Sequence, residues 1–156
     1  MKFCFSPNTA PVIRYLLDTN VISEPVKPAP SEAVLSRLRE RSGEVALPSV
    51  AWHELIYGAD RMDEDRRRSY LLEYLTEVVR PSMPILPYDA AAARWHGRAR
   101  DLLEKEGLST PFADGQIAGI AGAEGPTVVT ENISDFQPFA DLDGGIQVEN
   151  WYAEFL

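Results

Sequence analysis

The stretch that decides the fold is Arg14-Tyr15-Leu16-Leu17-Asp18-Thr19-Asn20, in which apolar residues run directly into a carboxylate, a hydroxyl and an amide. A short apolar run of this kind predicts a buried β-strand, which we place over residues 13–17. Polar side chains that follow such a strand lie at the carboxyl edge of the sheet, where open α/β proteins bind their ligands. Asp18 is therefore the first candidate for a functional carboxylate.

Beyond this stretch, short apolar segments alternate with segments of helical periodicity. We predict further strands over residues 44–47, 83–87, 127–130 and 146–148. Helices are predicted over residues 31–43, 49–58, 89–107 and 113–123, and loops over residues 20–30 and 131–145. A further helix is predicted to begin in the charged run over residues 60–68 and to end at residues 80–81. This alternation predicts an α/β protein, a three-layer α/β/α sandwich with a mostly parallel central sheet.

The composition indicates a single globular domain. The chain has 156 residues, of which 45% are hydrophobic and 25% charged, so it is long enough for one substantial core. No apolar run approaches the ~20 residues that span a bilayer. Cys4 is the only cysteine, which fits a reducing cytoplasm. We expect residues 1–12 to be an extension that precedes a single domain over residues 13–156.

The net charge of −9 argues against a nucleic-acid binder that works through a broad basic surface. It does not exclude a nucleic-acid enzyme, because a cluster of acids can form the catalytic centre while bound cations reverse the local sign of charge. The excess of negative charge also suits a basic protein partner.

Four carboxylates occupy positions that this scaffold brings toward one edge of the sheet. Asp18 follows the first strand, and Asp135 lies in the segment that leaves the strand over residues 127–130. Asp114 is in the first turn of the helix before that strand, and Glu54 is in the middle of the helix after the second strand. Each has a structural alternative, because acids at helix starts and in turns satisfy the helix dipole and local backbone donors. Pattern alone leaves both interpretations open, and Glu54 could face inward or outward.

Carboxylates gathered at one edge repel one another, which raises their pKa values. A hard divalent cation removes this penalty, and an oxygen-rich site selects Mg²⁺ or Mn²⁺. Such ions lower the pKa of a bound water and neutralise a phosphate during in-line attack. The pattern thus predicts metal-assisted phosphodiester hydrolysis, in which four polar residues orient the acids or contact the phosphate: Thr19, Asn20, Thr130 and Asn132.

Four segments, taken in order, resemble the acidic motifs of PIN domains, and among these most closely those of VapC-type toxins. The segments are Leu16-Leu17-Asp18-Thr19-Asn20, Trp52-His53-Glu54-Leu55-Ile56-Tyr57-Gly58, Pro111-Phe112-Ala113-Asp114-Gly115-Gln116-Ile117-Ala118 and Thr130-Glu131-Asn132-Ile133-Ser134-Asp135-Phe136. Each motif alone is weak, whereas all four in this order and at this spacing are specific. The resemblance covers residues 15–151.

The resemblance implies a PIN-like fold and a Mg²⁺- or Mn²⁺-dependent endoribonuclease that cleaves RNA as the toxin of a toxin–antitoxin pair. It implies that Asp18, Glu54, Asp114 and Asp135 form the catalytic quartet, with Asp18 and Asp114 as metal ligands. It further implies a homodimer, neutralisation by a cognate antitoxin, and contact with DNA only through that antitoxin. One departure is Glu131, which stands where many relatives carry a basic or neutral residue.

Two rival functions remain open at this point. A phosphorelay receiver also has an acidic pocket in a small α/β domain, but it needs paired acids after its first strand and a lysine after a late strand. Here Thr19 follows Asp18 and Glu131 follows Thr130, which argues against a receiver. The second rival is a binding module that acts mainly with its antitoxin in a DNA-binding autorepressor complex.

Several other residues have both a structural and a functional interpretation. His53 and His96 are the only histidines and lack the partners of a zinc site, so we expect surface or packing roles for them. Trp95 falls on an apolar helix stripe and is expected in the core, whereas Trp52 is a candidate subunit contact. The basic run Arg66-Arg67-Arg68 is expected to be a solvated helix start, with contact to RNA phosphates as the alternative.

Overall fold

The computed structural model describes residues 12–153, and a five-stranded sheet forms their centre. The strands are β1 (Tyr15–Leu17), β2 (Val45–Pro48), β3 (Ile85–Leu86), β4 (Thr127–Val129) and β5 (Val148–Glu149). They lie in the order β3-β2-β1-β4-β5, and each neighbouring pair is parallel. The predicted sandwich around a parallel sheet is confirmed. The predicted extension over residues 1–12 lies outside the described residues except for its last residue.

Helices cover both faces of this sheet. They are α1 (Thr19–Ser23), α2 (Glu32–Glu40), α3 (Ser49–Asp60), α4 (Arg66–Glu73), α5 (Arg80–Ser82), α6 (Ala90–Lys105), α7 (Phe112–Glu124) and α8 (Ile133–Ala140). A short 3₁₀ turn over Glu24–Val26 follows α1, and a π-helical turn over Tyr74–Val79 joins α4 to α5. No helix within residues 12–153 combines the length and the apolar character that a membrane crossing requires.

The chain order of the strands reverses at β1. From β1 the chain runs outward through β2 to β3, and it then crosses back to form β4 and β5 on the other side of β1. Ligands of open parallel sheets bind outside the carboxyl ends of the strands at such a reversal. Here these ends belong to β1 and β4, which pair from Tyr15 with Thr127 to Leu17 with Val129. The residues that follow Leu17 and Val129 in the chain therefore lie close together.

Two apolar cores lie on opposite faces of the sheet, because successive strand residues point to opposite faces. Leu16 and Val128 face the core that α6, α7 and α8 cover, where Phe136 is among the largest fully buried side chains. Leu17 and Val129 face the core that α1, α2, α3 and the π-helical turn cover. The polar residues that follow these strands emerge between two packed layers.

Two predicted helix starts are confirmed by their capping hydrogen bonds. The Ser31 hydroxyl accepts a hydrogen bond from the Val34 amide at 3.4 Å. The Asp89 carboxylate accepts one from the Ala92 amide at 3.0 Å. Each bond satisfies a backbone donor that the first helical turn leaves unpaired. At the other end of α7, Gly125 has a φ of 99°, a backbone conformation that glycine adopts without strain.

The predicted loop over residues 20–30 is wrong at its start, where α1 forms. The Asp18 carboxylate accepts a hydrogen bond from the Thr19 amide at 2.8 Å and caps this helix. The apolar residues of α1 are buried against the sheet side of α3. The prediction of a loop rests on Pro25, Pro28 and Pro30, and all three follow α1, since Pro25 lies in the 3₁₀ turn.

The predicted loop over residues 131–145 is also wrong, because it contains α8. Phe136 and Phe139 lie three residues apart on this helix, and both are fully buried. Burial of two aromatic side chains outweighs the cost of about 3 kcal/mol for a proline such as Pro138 inside a helix. Asp135 therefore lies in the first turn of a helix rather than in a loop.

Two further details differ from the prediction. The helical path continues through Pro81 to Ser82, because the preceding π-helical turn has already shifted the hydrogen-bond register, with the Arg80 amide donating to the Leu75 carbonyl. The sequence also predicts that Ser49 caps α3. Instead, Ser49 is the first residue of that helix, and its hydroxyl accepts a hydrogen bond from the Tyr88 amide at 3.2 Å.

Helices α6 and α7 approach closely because glycines of α7 face α6. A Cβ at Gly119 would lie 2.6 Å from the Ala92 carbonyl oxygen, and one at Gly115 would lie 2.1 Å from Nε2 of His96. Neither position has room for a side chain unless a neighbour moves. Because Asp114 directly precedes Gly115, the same contact fixes the position of the Asp114 backbone.

We predict that Gly119→Ala lowers the free energy of unfolding by about 1–3 kcal/mol, because the added methyl group meets a backbone carbonyl of a packed helix. Gly97→Ala is the matched control on the exposed face of α6, where a Cβ would meet nothing within 4 Å. The control should gain up to about 1 kcal/mol from the higher helix propensity of alanine. Urea denaturation measures both variants, and equal stabilities would contradict this account of the packing.

Candidate active site at the strand reversal

Asp18 lies at the carboxyl end of β1, and only 8% of its surface is exposed. Its amide donates a hydrogen bond to the Val129 carbonyl at 2.9 Å, which extends the pairing of β1 with β4. Its two carboxylate oxygens accept hydrogen bonds from the Thr19 amide and the Thr130 hydroxyl, both at 2.8 Å. Burial raises the pKa of Asp18, and these two hydrogen bonds offset that effect only in part.

Thr130 connects the end of β4 to this carboxylate. Its side chain is fully buried, and its hydroxyl donates to Asp18 while accepting a hydrogen bond from the Asn132 amide at 3.0 Å. The Thr130 amide donates to the Glu149 carbonyl in β5 at 3.0 Å. A hydroxyl that is engaged as both donor and acceptor has one preferred orientation, so it holds the Asp18 carboxylate beside β4.

The Glu54 side chain is half-buried and points toward β1 rather than outward. Its Oε2 accepts a hydrogen bond from the Thr19 hydroxyl at 2.7 Å. Helix α3 presents Glu54 in this direction because Ala51 and Leu55 are buried on its inner face. Thr19 therefore links two acids of the cluster, since its amide contacts Asp18 and its hydroxyl contacts Glu54.

Asp114 is half-buried in the first turn of α7. Burial raises its pKa to about 6, and repulsion from the Asp18, Asp135 and Glu54 carboxylates adds to this shift. Among the described residues, burial and these three carboxylates all act in the same direction on the pKa of Asp114. The four predicted acids thus act on one another electrostatically at the carboxyl ends of β1 and β4.

Asp135 is the most exposed of the four acids and occupies the first turn of α8. It is close enough to raise the pKa values of Asp18 and Asp114 by repulsion. Asp135 therefore adds negative charge at the solvent side of the cluster.

The two predicted amides have different surroundings. The side-chain oxygen of Asn20 accepts a hydrogen bond from the Glu131 amide at 3.4 Å, which ties α1 to the segment after β4. Asn132 is exposed where α8 begins, and it contributes its backbone amide to Thr130. Glu131, the departure noted in the sequence, is exposed at the rim beside Asn20.

The chemistry of this donor set fits a hard cation, because the site offers only oxygen atoms. Within residues 12–153, no three Asp, Glu, His or Cys side chains form a ready-made metal-binding group. Magnesium does not require one, since it commonly binds through one or two carboxylates and keeps several waters. Asp18 and Asp114 are a suitable pair, because they repel each other and a cation bound to both would remove that repulsion.

The sequence analysis did not identify Glu24, a buried carboxylate in the 3₁₀ turn that follows α1. It is 4% exposed and accepts hydrogen bonds from Lys27 Nζ at 2.6 Å, the Ser31 amide at 2.8 Å and the Tyr152 hydroxyl at 2.8 Å. Burial acts to raise the pKa of Glu24, but Lys27 and these hydrogen bonds together hold it below its usual value. Glu24 is therefore a charged anchor for the 3₁₀ turn.

Tyr152 carries this support to the end of the described chain. Its hydroxyl lies 3.0 Å from the Asn20 carbonyl oxygen as well as in contact with Glu24. Burial, followed by the Glu24 carboxylate, raises the pKa of Tyr152, so the phenol remains a donor. In the sequence, Glu24 and Lys27 look like an ordinary surface ion pair, and only the return of the chain to Tyr152 reveals the burial.

The two histidines have the packing and surface placements that the sequence predicted. His96 is buried, with its Nδ1 at 2.9 Å from the Tyr88 hydroxyl, and burial lowers its pKa. His53 is exposed on α3, where its ring stacks on Tyr57 at a centroid distance of 6.1 Å. Neither histidine contacts the acidic cluster directly in the described part of the chain.

The other singled-out residues lie away from the acids. Trp95 packs against the core between α6 and α8, as predicted. Trp52, on α3, is partly buried against the core on the other face of the sheet. Within the basic run, Arg68 forms ion pairs with Asp60 and Glu64, each at 3.6 Å. These contacts agree with a solvated helix start.

Comparison with known proteins finds one family and several relatives. The model of the PIN domain family matches residues 15–141. The tRNA(fMet)-specific endonuclease VapC of Shigella flexneri is 31% identical over 140 residues, which are 90% of this chain and 99% of that protein. The toxin FitB of Neisseria gonorrhoeae is 34% identical over 124 residues, which are 78% of this chain and 89% of that protein.

The fold also matches a solved complex. The crystal structure of DNA-bound VapBC from Salmonella typhimurium contains a chain that superimposes with a TM-score of 0.73 at 30% identity. The match covers 90% of this chain and 99% of that chain. A receiver domain is thereby excluded, because the family match spans all four acidic motifs.

We predict that the metal-free Asp114→Asn variant is more stable than the parent protein at pH 7.5. The folded protein raises the pKa of Asp114 from 3.8 to about 6, so this carboxyl binds its proton more tightly when folded than when unfolded. Stability is therefore lost as the pH rises from about 4 to about 6, and it stays lost above that range. The gain on removing the charge is at most about 3 kcal/mol, and solvent screening reduces it to about 1–2 kcal/mol.

Thermal unfolding in excess chelator at pH 4 and pH 7.5 measures this difference. The advantage of Asp114→Asn should be present at pH 7.5 and should shrink toward pH 4. Asp63→Asn is the matched control, because Asp63 is exposed after α3 and its replacement should give no such pH dependence. A lower melting temperature for Asp114→Asn than for the parent at pH 7.5 would contradict the predicted repulsion.

Proposed function

The chain belongs to the PIN domain family, and from this premise we propose that it is the toxin of a toxin–antitoxin pair and cleaves RNA phosphodiester bonds. The observation that carries the proposal is the convergence of Asp18, Glu54, Asp114 and Asp135 at the strand reversal, where Thr130 holds Asp18 and Thr19 links Asp18 to Glu54. Relatives named as a VapC endonuclease and a FitB toxin match most of the chain, which supports the same activity here.

Asp18 and Asp114 are the residues that would hold Mg²⁺ or Mn²⁺. When bound, the cation supplies a water of lowered pKa and neutralises charge on the phosphate. The Thr130 hydroxyl and the Thr19 amide each occupy one oxygen of Asp18, so the carboxylate has a fixed orientation before any ligand arrives. Such preorganisation removes the need to reorient this group during the reaction.

In this proposal Glu54 orients the attacking water. Its Oε2 is held by the Thr19 hydroxyl, whereas no hydrogen bond to its Oε1 is present among the described residues. Oε1 is therefore free to accept a hydrogen bond from that water or from a ribose hydroxyl. Asp135 at the solvent side completes the quartet, and its exposure leaves it accessible to substrate.

We further propose that a cognate antitoxin inhibits this site and that the chain acts as a homodimer in the cytoplasm. A net charge of −9 favours a basic inhibitory segment over direct contact with DNA. The DNA-bound VapBC complex of Salmonella typhimurium is a precedent for contact with DNA in such an assembly. A role in an autorepressor complex is compatible with catalysis, because the antitoxin, and not the acidic cluster, would contact the DNA.

We predict that Asp18→Asn reduces RNA cleavage by more than about 100-fold, since loss of a metal ligand exceeds the 10–100-fold effect of the groups that orient ligands. Growth inhibition should disappear with the activity, and circular dichroism should show an intact fold. The effect is measured by mapping RNA ends after induction of the parent protein or of Asp18→Asn. Asp63→Asn is the control and should cleave RNA normally. Full activity of Asp18→Asn would contradict the assignment of Asp18 to the active site.

A second prediction concerns the cation. Excess EDTA should stop RNA cleavage by the purified protein, and added Mg²⁺ or Mn²⁺ should restore it, because the clustered carboxylates need a counter-charge to meet a phosphate. Cleavage of a fluorescent RNA measures the rate. The same ions should not restore Asp18→Asn. Undiminished turnover in excess EDTA would show that the acids work without a metal.

A further inference from the structure

Tyr152 follows the last strand, and its hydroxyl reaches the helix that begins at the acidic site. The hydroxyl lies 3.0 Å from the Asn20 carbonyl oxygen and 2.8 Å from Oε2 of Glu24. Asn20 and Glu24 are four residues apart in a helical path, so they lie one above the other on the same side of it. The phenol therefore bridges one turn at the carboxyl end of α1.

The Asn20 carbonyl needs this donor because α1 ends too early to supply one. In a longer α-helix its partner would be the amide four residues later, which belongs to Glu24. The Glu24 amide donates instead to the Val21 carbonyl, where the chain tightens into the 3₁₀ turn. The Ser23 hydroxyl is 3.5 Å from the Asn20 carbonyl, at the limit of a hydrogen bond. In the described part of the chain, the Tyr152 hydroxyl is thus the main donor to Asn20.

Tyr152 is itself fixed to the sheet. Its amide donates a hydrogen bond to the Asn150 side chain at 2.8 Å, which forms a tight turn after β5. The preceding residue, Trp151, is buried, and its ring lies edge-on to that of Tyr15 in β1 at a centroid distance of 5.1 Å. A hydroxyl held in this way fixes the carboxyl end of α1 relative to β1 and β5.

The Asn20 side chain offers a hydrogen-bond donor that the acidic site otherwise uses internally. The Glu131 backbone amide can only donate, so the atom 3.4 Å from it is Oδ1 of Asn20, and Nδ2 occupies the other branch. Among residues 12–153, Nδ2 of Asn20 has no hydrogen-bond partner, whereas the Thr19 and Thr130 hydroxyls donate to acids. Neutral N–H groups beside carboxylates suit a phosphate oxygen, which the carboxylates themselves repel.

The Asn20 carboxamide depends on its backbone for its position. The bond from the Glu131 amide is longer than the usual value of about 2.9 Å, so it holds the carboxamide weakly. The backbone of the same residue is held at its carbonyl by Tyr152. Burial and the Glu24 carboxylate raise the pKa of Tyr152, and the Glu131 and Asp18 carboxylates add to this rise. The phenol is therefore close to the acidic site and remains a donor.

We propose that Tyr152 is a positioning residue for RNA binding, because its hydroxyl holds the Asn20 backbone so that Nδ2 of Asn20 binds a phosphate oxygen of the substrate. Tyr152 does not touch the RNA and acts only through Asn20. This inference rests on the proposed cleavage of RNA. It assigns a role in that reaction to a residue beyond the range that the PIN domain model matches.

Tyr74 provides a matched control, because its hydroxyl also donates to a carbonyl of α1. It lies 2.7 Å from the Ile22 carbonyl oxygen. The Ile22 side chain is buried in the apolar core and has no donor for a phosphate. Loss of either hydroxyl removes one bond to α1, but only the loss at Tyr152 releases Asn20. A purely structural role of Tyr152 would make the two tyrosines equivalent.

The test measures initial rates of cleavage of a fluorescent single-stranded RNA pool of random sequence by the full-length chain in Mg²⁺ buffer. The variants are Tyr152→Phe, Tyr74→Phe, Asn20→Ala and the double variant that combines Asn20→Ala with Tyr152→Phe. Thermal melting is measured on the same proteins. The rates are measured at a temperature at which circular dichroism shows that all of them are folded.

The single variants should separate substrate binding from stability. Tyr152→Phe should raise KM about tenfold and leave kcat near the parent value, because it weakens binding rather than the chemical step. Asn20→Ala should raise KM about ten- to 150-fold, the range for loss of a hydrogen bond to a charged group. Tyr74→Phe should lower the melting temperature about as much as Tyr152→Phe does, and it should keep the parent KM.

The double variant tests whether Tyr152 acts through Asn20. In the Asn20→Ala background, Tyr152→Phe should change KM no further, because no carboxamide remains to be positioned. It should still lower the melting temperature, since its hydrogen bond is to the backbone carbonyl, which alanine retains. Effects that add in melting temperature but not in KM distinguish a positioning residue from a structural one.

Three outcomes would overturn the inference. A parent-like KM in Tyr152→Phe, with RNA cleavage by the wild-type chain intact, would overturn the role of Tyr152 and leave the proposed function standing. An equal rise of KM in Tyr74→Phe, or a further rise when Tyr152→Phe is added to Asn20→Ala, would show that Tyr152 supports the fold rather than Asn20. Absence of RNA cleavage by the wild-type chain would overturn the inference and the proposed function together.

Discussion

The hydrogen bond between Asp18 and Thr130 joins the two strands on which the whole site depends. These residues are far apart in the sequence, but β1 and β4 are parallel neighbours at the strand reversal, so their carboxyl ends meet. The bond is 2.8 Å long and fully enclosed, which makes its loss expensive in a buried environment. Glu54 and Asp114 then approach the same point, because α3 follows β2 and α7 precedes β4.

Charge repulsion among the acids lowers the stability of the folded protein. Burial raises the pKa values of Asp18 and Asp114, and the neighbouring acids add to both shifts. The hydroxyl and amide groups of Thr19 and Thr130 compensate Asp18 in part, whereas Asp114 receives no such compensation within the described residues. The proposed cation would relieve this repulsion, so that ligand affinity and folding stability would be linked through the same groups.

The sequence predicted those features that depend on local chemistry. The strand before Asp18 and the Asp89 cap could be predicted directly, because each follows from neighbouring residues. Helix α8 could not, since only the tertiary burial of Phe136 stabilises a helix that contains a proline. The anchor at Glu24 was equally hidden, because its partner Tyr152 is 128 residues away. The inward orientation of Glu54 likewise required the contact with Thr19, which helical periodicity alone does not specify.

The central claim is that the acids form one strained cluster that a divalent cation relieves. The most direct measurement is an NMR titration of the Asp114 side-chain carboxyl carbon in the metal-free protein and with Mg²⁺. The account predicts a pKa of about 6 without metal, displaced well downward by Mg²⁺. A metal-free value near 3.8 that does not respond to Mg²⁺ would contradict the claim.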